Sequence, residues 1–175
     1  FKRWNEAFLP PGIERDGTWN YGNQYIGWGV VETKSAIKGA PNELSLYAKE
    51  GYWTGNSNSL RRYTLRLDGF VSLYGPMSGG ELVTKPFRFE GTSLALNFST
   101  SVAGSVQVEI QDIDGNALPG FRLEECAPLF GDTIDRTVTW SHGADLGSLG
   151  GRVVRLRFAV RDAHVYAFQF KYGGL

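Results

Sequence analysis

Four carboxylates lie at or near the ends of predicted strands: Glu32, Glu43, Asp68 and Glu81. Most glycosidases cleave a glycosidic bond with two carboxyl groups about 5 to 10 Å apart. The sequence alone does not join any two of these residues into such a pair. The arginines at positions 61, 62 and 66 are close in sequence, and ordinary surface ion pairs are therefore the simpler interpretation.

The residue types and their spacing do not favour a catalytic nucleophile or a transition-metal site. His142 follows Ser141 in a polar loop and His164 lies near the C-terminus, but no G-x-S-x-G turn is present. Cys126 is the single cysteine, and its simplest role is to fill space in a core. Two histidines and one cysteine do not cluster at ligand spacing. We therefore predict no catalytic residue, no metal and no cofactor.

A short acidic segment, Asp112-Ile113-Asp114-Gly115-Asn116, resembles the start of a calcium-binding loop. It offers oxygen ligands at alternate positions before a glycine, but it lacks the later glutamate and the flanking helices. An Asp-Gly turn between two strands is the preferred interpretation.

Aromatic residues in polar, glycine-rich stretches are the more informative signal. Trp19, Tyr21 and Trp28 form one group, and Tyr52 and Trp53 form another, among Asn, Gly, Thr and Ser. The C–H face of a sugar ring stacks on such rings, although burial at the end of a core would also account for each of them. The predicted ligand-binding residues combine these rings with nearby polar groups: Trp19, Tyr21, Tyr52, Trp53, Arg61, Arg62 and Asp68.

The strongest strand pattern occupies residues 152–172. Apolar side chains alternate with polar ones from residue 154 to 160, and alternation resumes at residue 166. This pattern predicts a strand, a tight turn at Arg161-Asp162-Ala163 and an antiparallel return strand. Residues 94–98 and 106–110 likewise predict a hairpin that turns at Ala103-Gly104.

About ten to twelve strands with frequent turns predict an all-β fold, an antiparallel β-sandwich of the jelly-roll type. No convincing helix and no internal repeat is visible in the sequence. We expect the following residues in the core: Leu96, Phe98, Val108, Ile110, Val154, Leu156, Phe158, Phe168 and Phe170.

Composition limits the partners. The chain has 175 residues, 23 of them glycine, and its formal net charge is +0. A protein without net positive charge has no obvious electrostatic attraction to nucleic acid or to an anionic membrane. No apolar run is long enough to span a bilayer. Because the sequence begins Phe-Lys-Arg-Trp without an initiator methionine, we expect it to be a piece of a longer protein.

Three blocks carry a family resemblance: LRRYTLRLDGFVSLY with GGELVTKPFRFEG, then GSVQVEIQDIDGNALPGF, then RVVRLRFAVRDAHVYAFQF. They resemble the C-terminal region of mostly uncharacterised bacterial proteins like glycoside hydrolase family 32, in which a five-bladed propeller precedes a β-sandwich. The resemblance runs from about Gly29 to Phe170. It implies that residues 1–59 are an N-terminal arm and strands, the remnant of an upstream propeller, and that residues 60–175 are the sandwich.

The resemblance also implies a bacterial source, cytoplasmic or exported, and an upstream domain of the same protein as a partner. It transfers no catalytic residue, since the propeller carboxylates lie outside this sequence. The predicted function is a non-catalytic, carbohydrate-associated module that binds a neutral glycan. The alternatives are a structural module that docks on an upstream catalytic domain, and a small glycosidase that uses one of the carboxylate pairs.

Overall fold

The computed structural model describes residues 5–10, 24–51 and 58–173. Within them the regular structure is antiparallel strand, with two 3₁₀ turns at Leu123–Glu125 and Gly147–Leu149. The ten strands, in chain order, are β1 Tyr25–Ile26, β2 Val31–Thr33, β3 Glu43–Glu50, β4 Ser59–Arg66, β5 Leu73–Gly75, β6 Gly80–Val83, β7 Phe87–Arg88, β8 Ser93–Gln111, β9 Asp132–Thr137 and β10 Val153–Lys171. The predicted all-β fold, an antiparallel β-sandwich, is confirmed. Its jelly-roll connectivity stays a prediction.

The chain divides into two compact units, Phe1–Leu67 and Asp68–Leu175. β4 pairs along its whole length with β3 and so belongs to the first unit. Within the described residues, no helix has the length and apolar character needed to cross a bilayer.

β3 is the central strand of the first unit. One of its edges pairs with β4, while β1 and β2 share the other edge. Leu46 and Ala48 are buried on one face of β3, and Tyr47 on the opposite face is 40% exposed. The alternation expected of a half-buried strand is therefore present.

Two 19-residue strands, β8 and β10, form a long ribbon that organises the second unit. They pair from Ser93 and Lys171 at one end to Gln111 and Arg155 at the other. The short strands β5, β6 and β7 line the free edge of β10, and β9 pairs with the first part of β8. Both predicted hairpins are therefore wrong, because each is one continuous strand and the two strands pair with each other.

The interruption that predicted a turn in β10 is an irregularity in its pairing. The register shifts between Arg161 and Ala163, and Asp162 between them has a left-handed backbone with φ of 42°. Buried residues occupy even positions from 154 to 160 and then odd positions at 163 and 165. One residue of β10, Asp162, lies opposite residues 101–104 of β8, so β8 carries the excess residues. A bulge of this kind changes which face each side chain occupies, as a turn also would.

The ribbon bends sharply along the segment that holds this irregularity and a second register shift, between Val165 and Ala167. The ring centroids of Phe158 and Phe168 lie 5.8 Å apart, although a straight strand would separate residues ten positions apart by roughly 33 Å. Opposite the irregularity, a Cβ atom on Gly104 of β8 would lie 2.3 Å from the carbonyl oxygen of Asp162. Only glycine allows the two backbones to approach this closely.

The two arms of the bent ribbon enclose the core. Seven of the nine predicted core residues are buried: Leu96, Phe98, Val108, Ile110, Val154, Leu156 and Phe158. Phe170 is partly buried and stacks on Phe89. Phe168 keeps 39% of its surface exposed, so its prediction as a core residue is wrong. Its ring contacts those of Phe158 and Phe170 from the margin of the core.

Replacing Gly104 by alanine tests the bend. The added Cβ would overlap the backbone of β10, and we expect the free energy of unfolding to fall by about 1 to 3 kcal/mol in urea denaturation. Gly80→Ala is the matched control, because its Cβ would meet other atoms only at 3.7 Å or more. Equal effects of the two substitutions would contradict the close approach at Gly104.

Candidate functional site

The predicted ligand-binding residues fall partly outside the described residues, as is the case for Trp19, Tyr21, Tyr52 and Trp53. Arg61 and Arg62 are consecutive on β4, and their side chains therefore point to opposite faces of the sheet. Asp68 follows β4 in a turn, where its φ is 54°. A ligand that lies on one face of the first unit's sheet would contact one of the two arginines.

Arg62 ties together three strands of the first unit. Its Nε donates to Oγ of Ser45 at 2.7 Å, and its Nη2 donates to Oε1 of Glu43 at 2.7 Å and to Oγ1 of Thr33 at 2.8 Å. Thr33 and Ser45 also share a hydrogen bond of 2.7 Å. The guanidinium therefore crosses β3 from β4 to β2, and a direct ligand contact by Arg62 stays a prediction.

Two tyrosines share the face on which Arg62 lies. Tyr47 is directly opposite Arg62, and Tyr25 is directly opposite Lys49, two residues further along β3. Directly opposed residues of antiparallel strands project from the same face. Tyr25 is 56% exposed and Tyr47 is 40% exposed, so both rings are accessible on a polar sheet face.

Trp28 projects fully into solvent, with a relative exposure of 105%. The amide of Gly27 still bonds to the carbonyl of Tyr47, and pairing resumes at Val31 opposite Ser45. Residues 28–30 therefore lie opposite a single residue of β3 and must bulge outward. Gly29 has a φ of 95°, which this bulge requires and which glycine adopts without strain.

Two of the candidate carboxylates in the first unit point in different directions. Glu32 lies opposite Leu44, and Glu43 lies opposite Thr33, so the two carboxylates project from opposite faces of the sheet. Oε1 of Glu32 accepts a hydrogen bond of 2.7 Å from the side-chain Nδ2 of Asn42. The structure does not bring Glu32 and Glu43 together as a catalytic pair.

Glu81, in the second unit, is held by Arg157. The guanidinium donates to both carboxylate oxygens, at 2.6 and 3.1 Å, and this hydrogen bonding lowers the pKa of Glu81. Glu109 also accepts from Arg157, at 3.4 Å. A general acid of a glycosidase needs a raised pKa, so Glu81 is set up as a structural ion-pair partner.

The segment that begins at Asp112 forms a turn. Oδ1 of Asp112 accepts hydrogen bonds from the amides of Asp114 and Asn116, both at 2.9 Å, and Asn116 Nδ2 donates to Oδ2 at 3.0 Å. These bonds, chiefly those from Asn116, lower the pKa of Asp112. The described residues contain no group of three or more His, Cys, Asp or Glu side chains that could hold a metal ion.

Cys126 is unsuited to nucleophilic chemistry. It is 2% exposed and accepts a hydrogen bond from the amide of Val108 at 3.3 Å. Burial raises the pKa of its thiol, which favours the unreactive protonated form. Its predicted role as a core residue is confirmed.

A group of aromatic and hydroxyl side chains in the second unit was not predicted from sequence. His164 lies within β10, not at a hairpin tip, and its Nδ1 is 2.9 Å from Oγ of Ser72. Its ring centroid is 4.8 Å from that of Tyr74 and 6.1 Å from that of Tyr166. Ser72 and Tyr74 are about ninety residues away in sequence, so only the strand pairing brings this group together.

No family model matches the chain, and no match to it exists among the curated proteins or the solved structures compared with it. The fold and the side-chain geometry must therefore support the assignment of function.

Arg62→Ala tests the role of this arginine in the first unit. Removing the guanidinium deletes the hydrogen bonds that join β4 to Ser45, Glu43 and Thr33, and we expect faster amide hydrogen exchange in β2 and β3, equivalent to about 1 to 3 kcal/mol. Arg61→Ala is the control, because Arg61 is more exposed and pairs with Glu50 at the surface, where an ion pair contributes about 0 to 1 kcal/mol. Equal effects would contradict the structural role given to Arg62.

Proposed function

We propose that the chain is a non-catalytic module that binds a neutral carbohydrate, with Trp28 as its main stacking ring. The full exposure of Trp28, which lies between Gly27 and Gly29 on an outward bulge, is the observation that carries this proposal. An indole held in water loses the hydrophobic gain of burial, which a ligand with an apolar face can supply. The C–H face of a sugar ring is such a ligand surface.

The neighbouring sheet face adds further contacts for a glycan. Tyr25 lies three residues before Trp28, and Tyr47 lies on the same face as Tyr25. Both rings are exposed and could stack with further sugar units. The charges of Arg62 and Glu43 on this face neutralise each other, which favours an uncharged ligand over an ionic one.

Strand order supports the predicted loop residues as part of the same site. Tyr25 is opposite Lys49, so the chain enters β1 and leaves β3 at the same end of the sheet. In sequence, Tyr21 lies just before that entry, and Tyr52 and Trp53 lie just after that exit. Their contact with a glycan stays a prediction, as does that of Trp19.

The family resemblance supports a carbohydrate context within a larger glycoside hydrolase-like protein. Hydrolysis by this chain itself has less support, because Glu32 and Glu43 face apart and Glu81 is bound to Arg157. We therefore assign recognition to this chain and leave bond cleavage to a domain upstream of it.

A docking module is the second candidate. Ile26, Val30 and Val31 are 49%, 43% and 51% exposed, and they flank Trp28 in sequence. A contiguous apolar stretch of this kind also suits contact with another protein domain. The two functions differ in what they require at position 28, since a sugar needs an aromatic face whereas a protein surface needs apolar area.

The test is a glycan array of neutral plant, algal and fructan glycans, followed by calorimetry with the best ligand. We expect a dissociation constant on the order of 10 μM to 1 mM for this shallow site. Trp28→Ala should weaken binding about tenfold or more, whereas Trp28→Phe should keep most of it because it keeps an aromatic face. Ile37→Ala is the control, because Ile37 is 73% exposed in the same unit and should leave affinity unchanged.

Two results would contradict the proposal. One is the absence of any bound glycan across the array, and the other is full affinity in Trp28→Ala. The first result would leave the docking function as the better candidate, and the second would remove Trp28 from the glycan site.

A further inference from the structure

We propose that the second unit carries a separate ligand site, which takes a neutral polyhydroxylated ligand such as a sugar at Tyr74, His164 and Tyr166. This site lies in the other compact unit and shares no residue with the site at Trp28. Its occupancy can therefore be tested separately from the function proposed above.

The irregularity in β10 exposes this site. Even-numbered residues from 154 to 160 point into the core, and without the register shift His164 and Tyr166 would follow them inward. The shift instead buries Ala163 and Val165 and places His164 on the other face, and His164 and Tyr166 are both half-buried. Because the side chains of this segment of β10 exchange faces, the ring of His164 points away from the core, beside that of Tyr166, where a ligand can reach them.

Neighbouring strands extend the site into a row. His164 is directly opposite Tyr74 of β5 on one side and Ser99 of β8 on the other, and Ser99 is opposite Asp132 of β9. Directly opposed residues share a face, so one surface carries two aromatic or heteroaromatic rings, a hydroxyl and a carboxylate. Tyr166 lies at a second register shift, between Val165 and Ala167, and its ring stacks beside that of His164 with a centroid separation of 6.1 Å.

The hydrogen bonding of His164 prepares one ring nitrogen for a ligand. Nδ1 bonds to the hydroxyl of Ser72, which can donate or accept. Within the described residues Nε2 has no hydrogen-bond partner, and in the neutral ring it takes the role opposite to that of Nδ1. A ligand hydroxyl can also donate or accept, so it matches Nε2 in either tautomer.

The remaining groups favour a sugar over an anion. Tyr74 contacts His164 on one side yet is 55% exposed, which leaves ring surface for a sugar C–H face. The row from Tyr74 through Ser99 to Asp132 contains a carboxylate and no lysine or arginine. Such a surface offers hydroxyls and ring faces to a sugar and no cationic side chain to phosphate or sulfate.

The test uses the histidine side chains as reporters. The chain has two histidines, and long-range ¹H–¹⁵N spectra resolve both imidazoles of the intact protein. Glucose, galactose, xylose and their oligomers are titrated, with sodium sulfate as the anionic probe. We expect a saturable shift of His164 Nε2 with at least one neutral sugar, no such shift with sulfate, and no shift of His142, whose ring packs against Phe121.

Variants separate this site from that at Trp28. Tyr74→Ala should weaken the sugar that shifts His164 by about tenfold or more, and Tyr74→Phe should retain it. Trp28→Ala should leave the His164 response unchanged, whatever it does to binding in the first unit. If Tyr74→Ala fails to fold, His164→Gln replaces it, with calorimetric loss of the same sugar as the expected result.

Three outcomes would overturn the inference: no response of His164 to any neutral sugar, a response to sulfate alone, or loss of the response in Trp28→Ala. The last would mean that the response of His164 depends on Trp28. A His164 response that survives in Trp28→Ala, with no binding lost there, would support the second site while removing the first.

Discussion

The close approach of Gly104 to the backbone around Asp162 is the contact on which the second unit depends. It allows the ribbon of β8 and β10 to bend, and the bend brings Phe158 against Phe168 so that one ribbon supplies both walls of a core. The same irregularity reverses the facing of β10 and places His164 on the outer surface. The packing of the core and the polar outer surface therefore have one cause, which is the irregular pairing of β10 with β8 at Asp162.

In the first unit, hydrogen bonds and an ion pair hold the strands together, whereas in the second unit apolar packing does so. The guanidinium of Arg62 joins β4, β3 and β2 through Glu43, Ser45 and Thr33, and it holds the sheet face on which Tyr47 lies. The bulge that carries Trp28 forms on the edge that β1 and β2 share. A rigid sheet beneath an exposed ring limits the conformational entropy lost when a ligand binds.

Alternation in the sequence predicted the strands and most of the core, because a period of two is a direct consequence of strand geometry. It did not distinguish a bulge from a turn at residues 161–163, or a bend from a turn at Ala103-Gly104, since all of them interrupt the alternation. The ion pair between Arg62 and Glu43 fits the surface-charge interpretation made from sequence. The grouping of Ser72 and Tyr74 with His164 depends on strand register across a long sequence separation, which local patterns do not encode.

The central claim is that Trp28 binds a neutral glycan, and fluorine NMR of protein labelled with 5-fluorotryptophan tests it most directly. The five tryptophans give separate reporters, and Trp28→Phe assigns the resonance of Trp28. With the best glycan from the array, we predict a saturable shift of that resonance and none for Trp140, which is 3% exposed in the core. A glycan that binds the protein and leaves the Trp28 resonance unmoved would contradict the claim.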